Sequence, residues 1–121
     1  MHELSIAEAV VAIAERHARG RRVTKVELRV GYLRQVVPSA LSFAFELTAV
    51  GTPVEGAELE LEAVPAAGLC RTCGEGTPLP ELPLLCRRCG SFDVEVTQGE
   101  ELLVDSLELE NEMATSGEVS V

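Results

Sequence analysis

Two matched cysteine pairs, Cys70-x2-Cys73 and Cys86-x2-Cys89, constrain this 121-residue chain more than any other feature. A CxxC turn lets two thiolates converge on one ion, and here twelve residues separate the two turns. Each pair is followed by a glycine, Gly74 or Gly90, which tolerates the left-handed turn that brings backbone N–H groups toward the sulfurs. Two such turns make a closed tetrahedral S4 site. That site suits structural Zn2+, while a rubredoxin-like iron centre fits the same ligands and redox thiols are a further alternative. Four ligands leave no open position for a catalytic water. Residues 65–92 show no long apolar period and are too few to build a sufficient core, so a metal must supply their folding energy.

The flanking sequence has regular periods. Ser5-x-x-Glu8 reads as a capping box, followed by Ile6, Val10, Ile13 and His17 at helical spacing, with Gly20 as the stop. This predicts a helix over residues 5–19, with Met1–Leu4 free ahead of it. Val26, Leu28 and Val30 alternate with Lys25, Glu27 and Arg29, the pattern of a half-buried strand. Pro38 opens a second helix running to about Val50, with Leu41, Ala44, Phe45 and Thr48 on its inner face. Glu58–Val64 alternates with Leu59, Leu61 and Ala63 inward. Alternation returns at Phe92–Thr97 and at Glu101–Glu110, where Leu103, Leu107 and Leu109 share a parity. The fold class expected is α+β: a two-helix, three-stranded sheet domain (residues 1–64 and 100–110) interrupted by a zinc-ribbon-like minidomain (65–99). Residues 111–121 show no period and are expected to form a flexible tail.

Charge narrows the function. The balance of ten basic and twenty acidic residues gives −10, against a nucleic-acid surface and against docking to an anionic membrane. It is also polarised: residues 1–34 hold seven basic and four acidic side chains, and residues 35–121 hold three and sixteen. The N-terminus carries Glu3, Glu8 and Glu15 where a signal peptide would be uncharged, so a cytoplasmic protein is expected. In that compartment thiols or metal ligands are favoured over disulfides. No glycine-rich phosphate loop or nucleophile elbow appears, and His2 and His17 are the only histidines, so no enzyme is expected. His17 reads as a last-turn helix residue.

The terminus Met1-His2-Glu3 offers a second metal chemistry. The α-amine of Met1, a backbone amide and the imidazole of His2 lie close enough in sequence to chelate one divalent ion through nitrogen. Square-planar nitrogen donors suit Ni(II) or Cu(II). An ordinary frayed terminus is the alternative reading.

Taken together, MHELS, GTPVEGAELELE, CRTCG with CRRCGS, and QGEELLVDSLELE resemble the HypA/HybF family of hydrogenase nickel-incorporation proteins over residues 1–110. The resemblance implies a metallochaperone for [NiFe] hydrogenase maturation, with transferable Ni2+ at Met1, His2 and Glu3 and structural Zn2+ at Cys70, Cys73, Cys86 and Cys89. It implies as partners a HypB-type GTPase and the hydrogenase large-subunit precursor, with some members serving urease, and a monomer or weak homodimer. One departure stands out. Many members carry a carboxylate just before the second helix, where this chain reads Val36-Val37-Pro38. The competing reading is a zinc-ribbon protein-interaction module without a transferable metal.

Overall fold

The computed structural model describes residues 2–110 and 115–121. Helix α1 (His2–Ala18) leads into strand β1 (Val23–Gly31), a 3-10 turn (Tyr32–Arg34) and helix α2 (Pro38–Ala49). Strands β2 (Glu58–Val64), β3 (Ala67–Cys70), β4 (Gly76–Pro78), β5 (Val94–Gln98), β6 (Leu102–Leu109) and β7 (Thr115–Ser120) follow. They form a four-stranded sheet in the order β2-β1-β6-β7 and a separate three-stranded sheet in the order β4-β3-β5. The chain divides into two compact units: Met1–Arg29, Val36–Glu62 and Leu102–Val121 in the first, Val30–Gln35 and Ala63–Glu101 in the second.

The first unit is built on apolar periodicity. Val10, Val11, Ile13 and Ala14 of α1, Leu41, Ala44 and Phe45 of α2, and Val26 and Leu28 of β1 are all buried, together with Val104, Leu107 and Leu109 of β6. Such burial of apolar surface is the main stabilising term for an α+β layer of this size. Pro38 sits in the first turn of α2, where its missing N–H costs nothing. The outer side of α2 is unusual, with Phe43, Leu47 and the C-cap residue Val50 between 57% and 64% exposed.

Three local expectations change. First, α1 begins at His2 rather than Ser5, so Met1–Leu4 does not hang free as a segment; Met1 itself lies outside the described residues. Ser5 is inside the first turns, and its hydroxyl donates to the His2 carbonyl at 3.1 Å instead of capping. Second, the main sheet has four strands, because Thr115–Ser120 pairs antiparallel with β6; residues 111–114 of the expected tail lie outside the described residues. Third, inward parity along β6 switches. Leu102, Val104, Ser106, Leu107 and Leu109 are buried while Leu103 is not, because the ladder to β7 is irregular between Val104 and Ser106. On β2, Leu59 and Leu61 are half-buried and Ala63 is exposed, as befits an edge strand.

The face of the main sheet that carries Lys25, Glu27 and Arg29 holds a lattice of ions. Lys25 Nζ lies 3.0 Å from Glu60, 3.6 Å from Glu27 and 3.7 Å from Glu108. Arg29 spreads its guanidinium to Glu62 at 2.9 Å, Glu118 at 2.8 Å and Asp105 at 3.6 Å, spanning all four strands. Glu60 and Glu62 of β2 are therefore cross-strand partners for the two cations of β1.

Candidate metal centre

The second unit is organised by its two cysteine turns, which fold alike. After Cys70 the chain reverses, Gly74 N–H donates to the Cys70 carbonyl at 2.8 Å, and Cys70 N–H donates to Glu75 O at 2.9 Å. After Cys86 the same two bonds recur, from Gly90 N–H to Cys86 O at 2.9 Å and from Cys86 N–H to Ser91 O at 2.8 Å. Both glycines take positive φ, +78° at Gly74 and +80° at Gly90, as their place after each pair predicts. The two turns are tied by a 2.8 Å hydrogen bond between the Thr72 and Ser91 hydroxyls. Buried Thr77 steadies the second turn, accepting the Arg87 N–H at 3.0 Å.

All four sulfurs fall within 4.8 Å of one another, with Cys70 and Cys89 at 3.6 Å and Cys73 and Cys86 at 3.8 Å. A tetrahedral ion with metal–sulfur bonds of ~2.3 Å sets its sulfurs about 3.8 Å apart. The four cysteines thus form a metal site. Cys70 and Cys86 are fully buried, and Cys73 and Cys89 face outward. Backbone N–H groups support the sulfurs: Cys73 N lies 3.5 Å from Cys70 Sγ, and Arg88 N lies 3.4 Å from Cys86 Sγ.

The thiol acidities describe what the site needs. The backbone N–H of Cys89, with that of Arg88, draws Cys86 down to about 6, and the backbone N–H of Cys73 lowers Cys70. Cys89 gains a backbone N–H from Ser91, yet burial and the facing Cys70 and Cys86 push it up to about 11. Cys73 likewise gains the Glu75 N–H, but burial and the same two neighbours raise it. Each turn therefore favours one thiolate and resists the second. Holding four thiolates together requires a cation among them. Arg71, Arg87 and Arg88 do not serve as that cation, since each pairs with a carboxylate (Asp93 at 3.0 Å, Glu81 at 3.3 Å and Glu75 at 3.7 Å).

The N-terminal residues lie in the first unit, at the start of α1. The His2 side chain is 52% exposed, and its Nε2 lies 3.3 Å from Glu3 Oε2. Glu3 is only 12% exposed, and its Oε2 also accepts the backbone N–H of Val37, the N-cap residue of α2, at 3.2 Å. That N–H is the leading cause of a lowered Glu3 pKa, consistent with an anion at a helix N-terminus. Residue 37 thus bonds through its backbone, and its side chain offers no ligand. Sequence reasoning missed this link, because the signal at residue 37 is a main-chain donor that any residue but proline provides. His17 is exposed in the last turn of α1, remote in sequence from both cysteine turns.

Fold and site together define a metalloprotein: an α+β unit with a histidine at its leading turn, and a small sheet carrying a four-cysteine centre. The chain belongs to the HypA family, whose model, described as hydrogenase/urease nickel incorporation, metallochaperone, matches residues 1–109. It is 48% identical over 110 residues to the hydrogenase maturation factor HypA of Geobacter sp. (strain M21), covering 91% of this chain and 100% of the relative. The HypA of Trichodesmium erythraeum is 37% identical over 110 residues, covering 91% and 96%. Among solved structures, the solution structure of the Ni metallochaperone HypA from Helicobacter pylori matches with a TM-score of 0.65 at 25% identity, covering 91% of this chain and 98% of that one. A second HypA solution structure gives 0.67 at 27% identity, covering 93% and 98%. The chain is accordingly a nickel metallochaperone of hydrogenase maturation, a non-catalytic role, with a four-cysteine metal site. No helix among the described residues is long and apolar enough to cross a membrane.

Proposed function

We propose that this chaperone carries two metals with different duties: resident Zn2+ at Cys70, Cys73, Cys86 and Cys89, and transferable Ni2+ at the Met1-His2-Glu3 terminus. The single observation that supports the zinc assignment is the sulfur spacing of 3.6 and 3.8 Å, which suits a closed tetrahedral ion such as structural Zn2+. Bound there, zinc supplies charge neutralisation and folding energy to a unit with a small core. The nickel assignment rests on donor chemistry. A terminal amine, main-chain amide and imidazole present nitrogen donors suited to square-planar Ni(II). Glu3 lies against His2 Nε2, so the other ring nitrogen, Nδ1, is left for the chelate, and the carboxylate orients the ring from behind.

The expected partners are a HypB-type GTPase and the hydrogenase large-subunit precursor, in the cytoplasm. The exposed Phe43 and Leu47 of α2, with the C-cap residue Val50, support a protein partner, being apolar surface of the kind that association covers. Calorimetric titration of zinc-loaded protein with Ni(II) tests the nickel site. Tight binding is expected in the wild type and its loss in both His2→Ala and a variant with one residue added before Met1. Unchanged binding in the two variants would falsify the N-terminal assignment.

A further inference from the structure

Strand β7 differs in kind from the strand that carries it. β6 is anchored in the core by Leu102, Val104, Leu107 and Leu109, all buried. Of the last four residues of the chain, Glu118 and Ser120 are exposed and Val119 and Val121 only half-buried. β7 is held by its ladder to β6, with Val104 opposite Val119 and Leu103 opposite Ser120, and by Val121 N–H donating to Leu102 O at 2.9 Å. Among its described side chains, Glu118 accepts a hydrogen bond from Arg29 at 2.8 Å. Arg29 is not orphaned when that tie breaks, because Glu62 at 2.9 Å and Asp105 at 3.6 Å remain. A strand whose described side chains bury little surface, and whose ionic partner has two other carboxylates, belongs to the low-stability end of a fold.

Its place in the chain is equally telling. The family model ends at residue 109, and the Geobacter relative is matched over its whole length by 110 residues. β7 lies beyond the family model, and the 110 matched residues are fewer than the 121 of this chain. Among the described strands, β7 is all that separates β6 from the margin of the sheet. An uncovered β6 would present a row of unpaired N–H and C=O groups on a firmly anchored strand, a template for strand addition.

We propose that the β6 edge is a docking site for an extended segment of a protein partner, and that β7 is its displaceable intramolecular occupant. The residues of β7 state the chemistry that the site accepts. A carboxylate at the Glu118 position meets Arg29, and a β-branched apolar residue at the next position meets Val104 on the opposite face. A partner segment with that acidic–apolar alternation reproduces both contacts and competes with β7 for one edge.

The probe is a synthetic peptide of residues 111–121, titrated into 15N-labelled zinc-loaded protein. Three chains are compared: the full chain, a chain ending at Glu110, and the full chain carrying Glu118→Lys. The full chain is expected to show little binding, because its own β7 fills the edge. The chain ending at Glu110 should bind at least tenfold more tightly, with amide shifts centred on Leu102–Leu109. Glu118→Lys, which sets a cation against Arg29 and loosens β7 without shortening the chain, should also bind more tightly than the full chain. A peptide that itself carries Glu118→Lys should bind the shortened chain at least tenfold more weakly. Equal affinity of all three chains, or binding by none, overturns the proposal. The full-length variant keeps the test decisive if the shortened chain fails to fold.

Discussion

Replacing Gly31 with alanine should be among the most damaging single-methyl changes available in this protein, for a reason unrelated to glycine's flexibility. Gly31 has φ −76° and ψ 145°, a conformation open to any residue. The obstacle is space. A Cβ at residue 31 would lie 2.1 Å from the Gly99 carbonyl oxygen, 2.2 Å from its carbon and 2.6 Å from Glu100 N, all backbone atoms. The segments must separate by about 1 Å to restore ordinary contact. Two short hydrogen bonds cross that junction, Gly31 N–H to Glu101 O at 2.7 Å and Leu33 N–H to Gly99 O at 2.8 Å. At roughly 1 kcal/mol net for each bond, plus 1–3 kcal/mol for a forced backbone shift, Gly31→Ala should cost about 3–5 kcal/mol. Gly76 supplies the control, since its Cβ would meet nothing within 4 Å and its φ is not positive. Gly76→Ala should change stability by less than ~0.5 kcal/mol, or stabilise slightly by restricting the unfolded chain. Urea unfolding at fixed free zinc reads the difference. Tyr32, the sole tyrosine in a chain without tryptophan, lies next to residue 31 and reports locally by fluorescence. With a urea slope of about 1–1.5 kcal/mol per molar, the midpoint should fall by about 2–5 M. A Gly31→Ala midpoint within ~0.5 M of Gly76→Ala would refute the steric argument.

Two further perturbations test other parts of the structure. Cys86→Ser removes a fully buried sulfur from the metal site and should abolish stoichiometric zinc retention. Strands β3–β5 should lose their amide dispersion while α1 and α2 keep theirs; native mass spectrometry and NMR check both, and a folded Ala63–Glu101 unit without metal would contradict the reading. Lys25→Met should show a pH signature. The Glu60 carboxylate, helped by Glu108 and Glu27, raises the Lys25 pKa above 10.5, so the contribution of the ion pairs is fully present below that pH and fades as pH rises through the raised value. The stability gap between wild type and Lys25→Met should stay constant from pH 7 to about 10 and close above it; a gap that widens with alkali would show the sign to be wrong.

What the sequence made legible follows from how local its signals are. The CxxC spacing announces the metal centre because each turn is a self-contained structure of five residues, and Pro38 marks the start of α2 by a rule that needs no neighbours. The start of α1 misleads for the same reason: Ser5-x-x-Glu8 has the composition of a capping box, but Glu3 finds the Val37 N–H across the first unit, and the helix begins at His2. β7 is hidden because Thr-Ser-Gly-Glu-Val-Ser is too short and too polar to show a period, its single apolar residue being Val119, and the open edge of β6 that it pairs with is invisible in the sequence. The segment Val30–Gln35 joins the second unit through main-chain bonds and through Arg34 Nε to Glu100 O at 2.7 Å, which periodicity cannot foresee. The outward residues of β1 and β2 were readable as charged, whereas their assembly into one lattice depends on strand order.

The two proposed metal sites differ in how much structure must open to release an ion. Four thiolates on two interlocked turns, two of them fully buried, can let go only if the small sheet that carries them opens. At the N-terminus the half-exposed His2 stands on the first turn of a helix, which frays more readily than any interior segment. Fraying is restrained at one point, where Glu3 bonds the Val37 N–H and lies against the His2 ring. With that bond made, a nickel ion captured at the proposed site would meet an imidazole already oriented, and less entropy would be lost. With it broken, the first turn can unwind and the nitrogen donors separate. At the proposed site, one carboxylate on a helix N-cap would then tune both capture and release. Glu3→Gln, which keeps a carbonyl to accept from Val37 but loses the charge facing His2, should speed nickel dissociation to a competing chelator while leaving the zinc site and the helical content unchanged. A dissociation rate equal to that of the wild type would mean that the Glu3 charge does not orient His2.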